Sequence, residues 1–430
     1  MQRRWLLKTT KCRSEEKKMR LVYPVCAGLD VHKKDVKACL VWRDAQQQRQ
    51  QEVRTFSTMT SGLEMLVKWL RTVSCPVVAI ESTGSYWKPV FNLLEGEFEV
   101  MLVNPSQLKP VRGCKTDPKD ARWLAELLEH GLLRGSFIPP QAIRDLRDMT
   151  RYRRRLIQEH SSEVNRVQKI LEDANIKLGC VATDVMGVSG RAILEALLTG
   201  DQTPEQMAEL AKGRLRNKLE QLTEALRGRF RPHHATLLSQ MLGHIDFLDE
   251  AIEECERVIE EMMRPFEHHM ANLDTVTGVD RRAAQDIIAE VGVDMSVFAT
   301  HKHLCSWAAV CPGNNESGGK YKSGRTRKGN KWLRSILVQC AHAAGHTRQT
   351  YLGAQYGRLA ARKGKQRAAI AVAHSILTAV YFILRDNCTY KELGPAHFDQ
   401  INKEHIIRHY RKRLEALGLT VEISEPSAAA

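Results

Sequence analysis

Apolar positions along the chain follow two different periods. Between residues 21 and 140 they cluster in short runs with the alternation and β-branched content of strands. YPVCAGLDV and KACLVW, joined by the polar HKKD, predict a β-hairpin. EVRTFST alternates and predicts a third strand. GLEMLVKWLRTV sets Leu63, Leu66, Val67 and Leu70 on one face of a helix. PVVAI is a fully apolar strand that ends at Glu81, YWKPVFNLLE starts a helix, and FEVMLVN is a second buried strand. TDPKDARWLAELLEHG predicts a helix with Asp117 as N-cap, Pro118 in its first turn and Gly131 past its end. Residues 21–140 therefore read as an α/β domain.

From 141 to 270 the period lengthens to that of long helices. Ile143, Leu146, Thr150, Arg153, Ile157, His160, Val164, Val167 and Leu171 are spaced alternately three and four apart. Leu238, Met241, Ile245, Leu248, Ile252, Cys255, Ile259, Met262 and Phe266 repeat that spacing, and Pro265 marks its end. Two heptad helices flanking a short helical stretch predict an antiparallel coiled coil or a dimerisation arm. The cluster RYRRR at 151–155 reads equally as a solvated face or a nucleic-acid contact. Residues 271–390 form a mostly α, Ala-rich domain. In it LDTVTGVDRRAAQDIIAEVG resembles a helix-hairpin-helix, with Asp280 where the second hairpin glycine usually stands. An acid there repels phosphate, so a purely structural hairpin is the competing reading. Residues 1–20 hold eight Lys/Arg and read as a basic disordered arm, or as residues ahead of a start at Met19; 391–430 form a polar tail.

Charge narrows the class. The 430 residues carry 65 Lys+Arg against 50 Asp+Glu, a net +15, which points to a polyanionic partner. The eleven cysteines include no C-x-x-C and read as reduced thiols of a cytoplasmic protein. His301-x-His303-x-Cys305 lacks a second half for zinc, and His342 and His346 in HAAGH lack the metalloprotease glutamate. No apolar run approaches 18 residues, so no membrane span is expected.

Two constellations carry chemistry. Asp30 ends the first strand, Glu81 ends the central apolar strand, and Asp117 and Asp120 begin a helix. Sites form at the carboxyl ends of strands in open α/β sheets. Gathering four acids is costly unless a cation neutralises them. Mg²⁺, as two ions, suits an all-oxygen set and would clamp the oxygens of a phosphodiester. Taken singly, each acid has a structural explanation as cap, helix-dipole partner or strand end.

The second constellation is CPGNNESGGK, a loop with Ser317 at its centre, followed by Lys320, Lys322, Arg325, Arg327, Lys328, Lys331 and Arg334, with Glu316 the sole acid from 311 to 334. One-signed glycine-rich sequence leading into a helix suits a phosphate backbone. Ser317 is turn filler or a nucleophile; with no histidine within ten residues, a nucleophile here needs activation by a metal from elsewhere. Tyr321 and Trp332 could stack on bases, with a core role as the alternative for Trp332.

GLDVHK, IESTG and KTDPKDA, followed far downstream by CPGNNESGGK and RTRKGNKWLR, resemble the DEDD transposases of the one-ten family of insertion sequences, in order, over residues 23–385. The resemblance implies a RuvC-like, ribonuclease-H-type N-terminal domain whose Mg²⁺ ligands fall on Asp30, Glu81, Asp117 and Asp120. It implies a C-terminal transposase domain whose serine nucleophile falls on Ser317, acting through a covalent phosphoserine. It further implies a homo-oligomer, dimer or tetramer, with a composite site shared between protomers. The implied partners are donor and target DNA and a structured guide (bridge) RNA, in the nucleoid of a prokaryotic cytoplasm. The competing functions are a RuvC-type hydrolytic junction resolvase, in which water attacks and Ser317 is dispensable, and a non-catalytic DNA-binding protein.

Overall fold

A computed structural model describes residues 20–82, 84–105, 117–313, 315–401 and 403–421, with the backbone alone at 117–119, 315–317 and 320–323. The basic arm before Arg20, the Lys115–Thr116 start of the KTDPKDA motif and the last nine residues of the tail lie outside them. The chain divides into two compact units, Met1–Ile138 and Pro139–Ala430.

The first unit is a three-layer α/β domain. Strands β1 (Cys26–Val31), β2 (Asp35–Arg43), β3 (Arg49–Ser57), β4 (Val77–Glu81) and β5 (Glu99–Val103) form one sheet in the order β3-β2-β1-β4-β5. β1–β2 and β2–β3 pair antiparallel, whereas β1–β4 and β4–β5 pair parallel. This mixed sheet is compatible with the RuvC-like domain implied by the sequence. Helices α1 (Thr60–Arg71) and α2 (Trp87–Leu94) cover one face. There Leu63, Leu66 and Leu70 pack with Leu29, Val78 and Ile80. Helix α3 (Asp117–Glu129) covers the other face, where Ala121, Leu124, Ala125 and Leu128 meet Cys26, Cys39, Val77 and Ala79. A central strand covered on both faces has to be apolar throughout, which is why β1 reads as an unbroken run.

The second unit is helical. α4 (Gln141–Asp173) and α9 (Pro232–Met263) are its long elements, joined through the short helices α5 (Leu178–Val181), α6 (Val188–Thr199), α7 (Pro204–Glu209) and α8 (Leu219–Ala225). They run antiparallel: Cys255 donates to the Met149 carbonyl near one end, and His234 meets Asp173 at the other. Between these ends His160 pairs with Asp249 and His244 with Glu163. The short helices close a separate core over the tip of this hairpin, around Ile176, Leu178, Leu194 and Leu222.

The buried stripe departs from the expected seam. On α4 it runs Ile143, Leu146, Thr150, Arg153, Leu156, Glu163, Val167, Leu171, so Leu156 and Glu163 take the places given to Ile157 and Val164. On α9, Leu242 and Met263 replace Met241 and Met262. Ile157 and Val164 lie half-buried at the edge of that stripe.

The remaining elements are α10 (Glu267–Asp274), α11 (Arg281–Val291), α12 (His301–Trp307), a two-stranded ribbon of β6 (Asn315–Ser317) and β7 (Lys320–Ser323), then α13 (Lys331–His346), α14 (Tyr351–Lys363), α15 (Lys365–Asp386), α16 (His397–Ile401) and α17 (Lys403–Glu415). α10 and α11 are joined by a short turn where the sequence resembles a helix-hairpin-helix. In that turn Val276 and Val279 are buried, and Asp280 caps α11 by accepting from the Ala283 N–H at 2.7 Å. That is a structural role for the acid that stands in a glycine position. α15 corrects the expectation about membrane spans: by length and composition alone it could cross one. Its Val372, Ile376, Leu377 and Val380 are buried in this unit, where α10, α12, α13 and α14 pack around it.

Candidate active site

Strand register assembles the acid site. β1 and β4 pair in parallel with Ala27 beside Val78, Gly28 beside Ala79 and Leu29 beside Ile80, so Asp30 and Glu81 stand next to each other at the carboxyl ends of both strands. Alternation sends Leu29 and Ile80 to the α1/α2 face and leaves Asp30 and Glu81 on the α3 face. α3 is clamped across that face. A Cβ on Gly28 would stand 2.5 Å from both the Ala121 carbonyl oxygen and the Ala125 nitrogen, so only glycine lets the helix backbone settle on the strand. The thiol of Cys26 donates to the Ala125 carbonyl at 3.6 Å. At the far end of α3 the buried Glu129 carboxylate accepts from Arg43 at 2.6 Å and from Arg49 at 2.8 Å. Seated this way, α3 directs its N-terminal turn toward the strand ends. Asp117 lies four residues before Ala121, on the same helix stripe, and Asp120 directly precedes Ala121.

Asp30 is 7% exposed, and its Oδ2 lies 3.2 Å from the Nε2 of His32. An acid this buried fits a site that gathers positive charge. The donors are carboxylate oxygens, the set that hard divalent cations take. His32, Gly28 and Glu129 were not singled out from sequence. Gly28 was visible as a glycine inside an apolar strand, but Glu129 depends on two arginines that only the sheet brings to it.

Ser317 is not in an irregular loop. Residues 315–323 form the β6–β7 hairpin, with Ser317 paired to Lys320 across a two-residue turn. The turn is Gly318–Gly319, both at positive φ (59° and 72°), as the tight hairpin turn between twisted strands requires. Ser317 is thus the last strand residue before an exposed tip. The ribbon continues toward its base, where the Gly313 N–H donates to the Arg325 carbonyl at 2.9 Å and Pro312 bridges Thr326. Of the seven cations in this stretch, Arg325, Arg327, Lys328 and Lys331 are exposed and Arg334 is half-buried.

A buried ion-pair cluster fixes the end of this segment. Asn330 caps α13 by accepting from the Trp332 and Leu333 N–H groups, and its amide donates to Glu290 at 2.6 Å. Glu290, 1% exposed, also receives a two-pronged bond from Arg151, at 2.7 and 2.8 Å. Arg147 donates to the carbonyls of Ala289 and Glu290 at the end of α11. RYRRR is therefore chiefly internal wiring: Arg153 is buried against Gln285 and Asp286, and Arg154 reaches Ser335. Burial pushes the Asp286 carboxyl up despite Arg153. The half-buried Trp332 carries Lys331, Arg151 and Arg155 within 5.2–5.9 Å of its ring, so it is held at the helix start.

Other clusters have structural accounts. Asp173, His233 and His234 bring potential metal ligands within 4.8 Å of one another. Both ring nitrogens of His234 are already used, Nδ1 accepting from the Arg231 N–H and Nε2 facing Asp173 at 2.7 Å. That bond holds the Asp173 carboxyl below its ordinary value. His303 bonds Thr300 and His342 bonds Tyr356. The nine described cysteines are free, and burial pushes Cys26 and Cys340 up to about 12.

Comparison with known proteins places both regions in one family. Residues 27–176 match a family model described as "Transposase", and residues 270–357 match one described as "Transposase IS116/IS110/IS902 family". The transposase for insertion sequence element IS1328 of Yersinia enterocolitica is 24% identical over 281 residues, 64% of this chain and 73% of that protein. The pilin gene-inverting protein of Moraxella bovis is 28% identical over 123 residues, 28% of this chain and 38% of that protein. The first match carries the acid site and the second carries the serine hairpin; the chain belongs to the IS110 family of transposases.

Proposed function

We propose that this protein is a DNA transposase that cuts and rejoins strands through a covalent bond to Ser317, with Mg²⁺ held by Asp30, Glu81, Asp117 and Asp120. The observation that carries the reading is the β1–β4 register, which sets Asp30 and Glu81 side by side under the helix that begins with Asp117. The bound ions would supply charge neutralisation at the scissile phosphate. The chain's own groups do the rest. Ser317 Oγ attacks phosphorus as a P–O bond to deoxyribose breaks; its proton is lost to solvent and the sugar hydroxyl leaves protonated. Rejoining reverses the step, with a strand hydroxyl displacing the serine. Lys320, Lys322, Arg325, Arg327, Lys328, Lys331 and Arg334 hold the backbone beside the hairpin. The relatives support DNA as the substrate, one being a transposase and the other a gene-inverting protein. A structured guide RNA, consistent with the excess of cations, and a homo-oligomer belong to the same proposal.

The test is a suicide DNA substrate carrying a nick that traps cleaved product. Wild type forms a covalent protein–DNA adduct and Ser317→Ala does not. An adduct that survives in Ser317→Ala removes the nucleophile. Nicked products without adduct in both proteins would establish the hydrolytic resolvase instead.

A further inference from the structure

No aspartate or glutamate occurs between Glu316 and Asp386, and the serine hairpin uses only the first part of that stretch. Beyond α13 the stretch forms the α14–α15 corner, which turns at Gly364 and exposes Arg358, Arg362, Lys363, Lys365 and Arg367. α17 adds Arg408, Arg411, Lys412 and Arg413, all exposed. Between α14 and the C-terminal helices lies a cleft of about 770 Å³, lined by Arg358, Arg362, Phe398, His405, His409 and Tyr410 among others.

The cleft is built from rings as well as charge. Phe398 stacks on Tyr351 at 4.8 Å and 14°, with the Arg358 guanidinium 5.6 Å above its ring. Asp399, next to Phe398, pairs with Arg358. Tyr410 is 59% exposed at the rim. Cations alone would fit any polyanion. Cations interleaved with aromatic faces fit a chain of phosphates whose bases are unstacked, because each base needs an open ring to lie on. A duplex keeps its bases covered and offers only its backbone.

We infer that this cleft is a second nucleic-acid site, one that seats a single-stranded segment of DNA away from the serine hairpin, with a base against Tyr410 and phosphates on Arg362 and the α17 cations. The choice of DNA rests on the strand-cutting activity proposed above, since cleavage frees strand ends. The binding itself requires no chemistry at Ser317.

The test uses the full chain and a fluorescent oligonucleotide of about 12 nucleotides, the span of one single-strand groove. It carries a central 5-iododeoxyuridine and is compared with its duplex and with RNA of the same sequence. Arg362→Glu and Tyr410→Ala are each expected to weaken single-stranded DNA about tenfold while duplex binding changes less than about twofold. Tyr410→Phe keeps the ring and should keep the affinity. Ser317→Ala should bind as wild type, so loss of the nucleophile reading leaves this result standing. Ultraviolet cross-linking should map to Tyr410. Unchanged affinity in both variants, an equal loss on duplex, or a preference for the RNA overturns the proposal. Both substituted side chains are exposed, and an unchanged thermal midpoint separates lost binding from lost folding.

Discussion

The acid site and the serine hairpin are secured in opposite ways. Asp30 sits on a strand whose six residues are all buried, beside a strand fixed by register and under a helix clamped at both ends. Ser317 precedes an exposed glycine turn, and what holds its segment is the Glu290–Arg151–Asn330 cluster at its base. On the proposed reading, metal ligands have to be pre-positioned, because their mutual repulsion would otherwise spread them, and a nucleophile that attacks and is later displaced needs the access that an anchored base and an open tip provide.

If that contrast is right, the largest effect comes from the acids. Asp30→Asn and Glu81→Gln should lower strand cleavage on the order of 10³-fold, while the far-ultraviolet spectrum and thermal midpoint hold. Cleavage within about tenfold of wild type would show that the acids are not the metal site. Glu290→Ala should come next, costing about 1–3 kcal/mol because the half-buried Arg151 and the Asn330 amide lose their shared acceptor. Denaturant unfolding reads that loss, and a change below about 1 kcal/mol would show that the cluster does not anchor the segment.

Gly28→Val tests the clamp on the other side of the comparison. Its side chain enters the space of the α3 backbone, and such overpacking costs about 1–3 kcal/mol. Metal-dependent cleavage should fall with it, since α3 carries two of the four acids. Gly318→Val should cost less, about 1–2 kcal/mol of local strain at positive φ, and should lower adduct formation while the global midpoint barely moves. An unaltered adduct rate would mean that the turn does not position the serine.

The smallest effect is a pH dependence. The Asp286 carboxyl is raised in the folded state, chiefly by burial, so the unfolded chain releases this proton first. Stability contributed by this group is therefore present at low pH and declines as pH rises from the ordinary aspartate value toward the folded one. Asp286→Asn should remove that decline, which unfolding curves across the acidic range would show.

Much of the first unit was legible because its signals are local. Strand runs, the helix face at Leu63, Leu66 and Leu70, and the four acids at element ends all follow from neighbours in sequence. The long helices were legible as helices, but their buried faces depart from a strict heptad, so Leu156 and Glu163 went unnoticed. RYRRR was unreadable for another reason: an arginine's role is set by what faces it, and Glu290 and Asp286 lie over 130 residues away. The serine segment looked like a loop because glycine and asparagine mark hairpin turns and irregular loops alike.

The sequence by itself determined the family, the element order, the two sets of candidate residues and the one-signed charge after Glu316, since each is a matter of residue type and spacing. The tertiary structure decided that Asp30 and Glu81 are neighbours, that Gly28 and Glu129 seat the helix carrying the other two acids, and that Asp280 is a cap. It also decided that Arg358 and Arg362 share a cleft with the sequence-remote Phe398 and Tyr410. These are statements about distance between residues remote in sequence, and distance is fixed only when the strands pair and the helices pack.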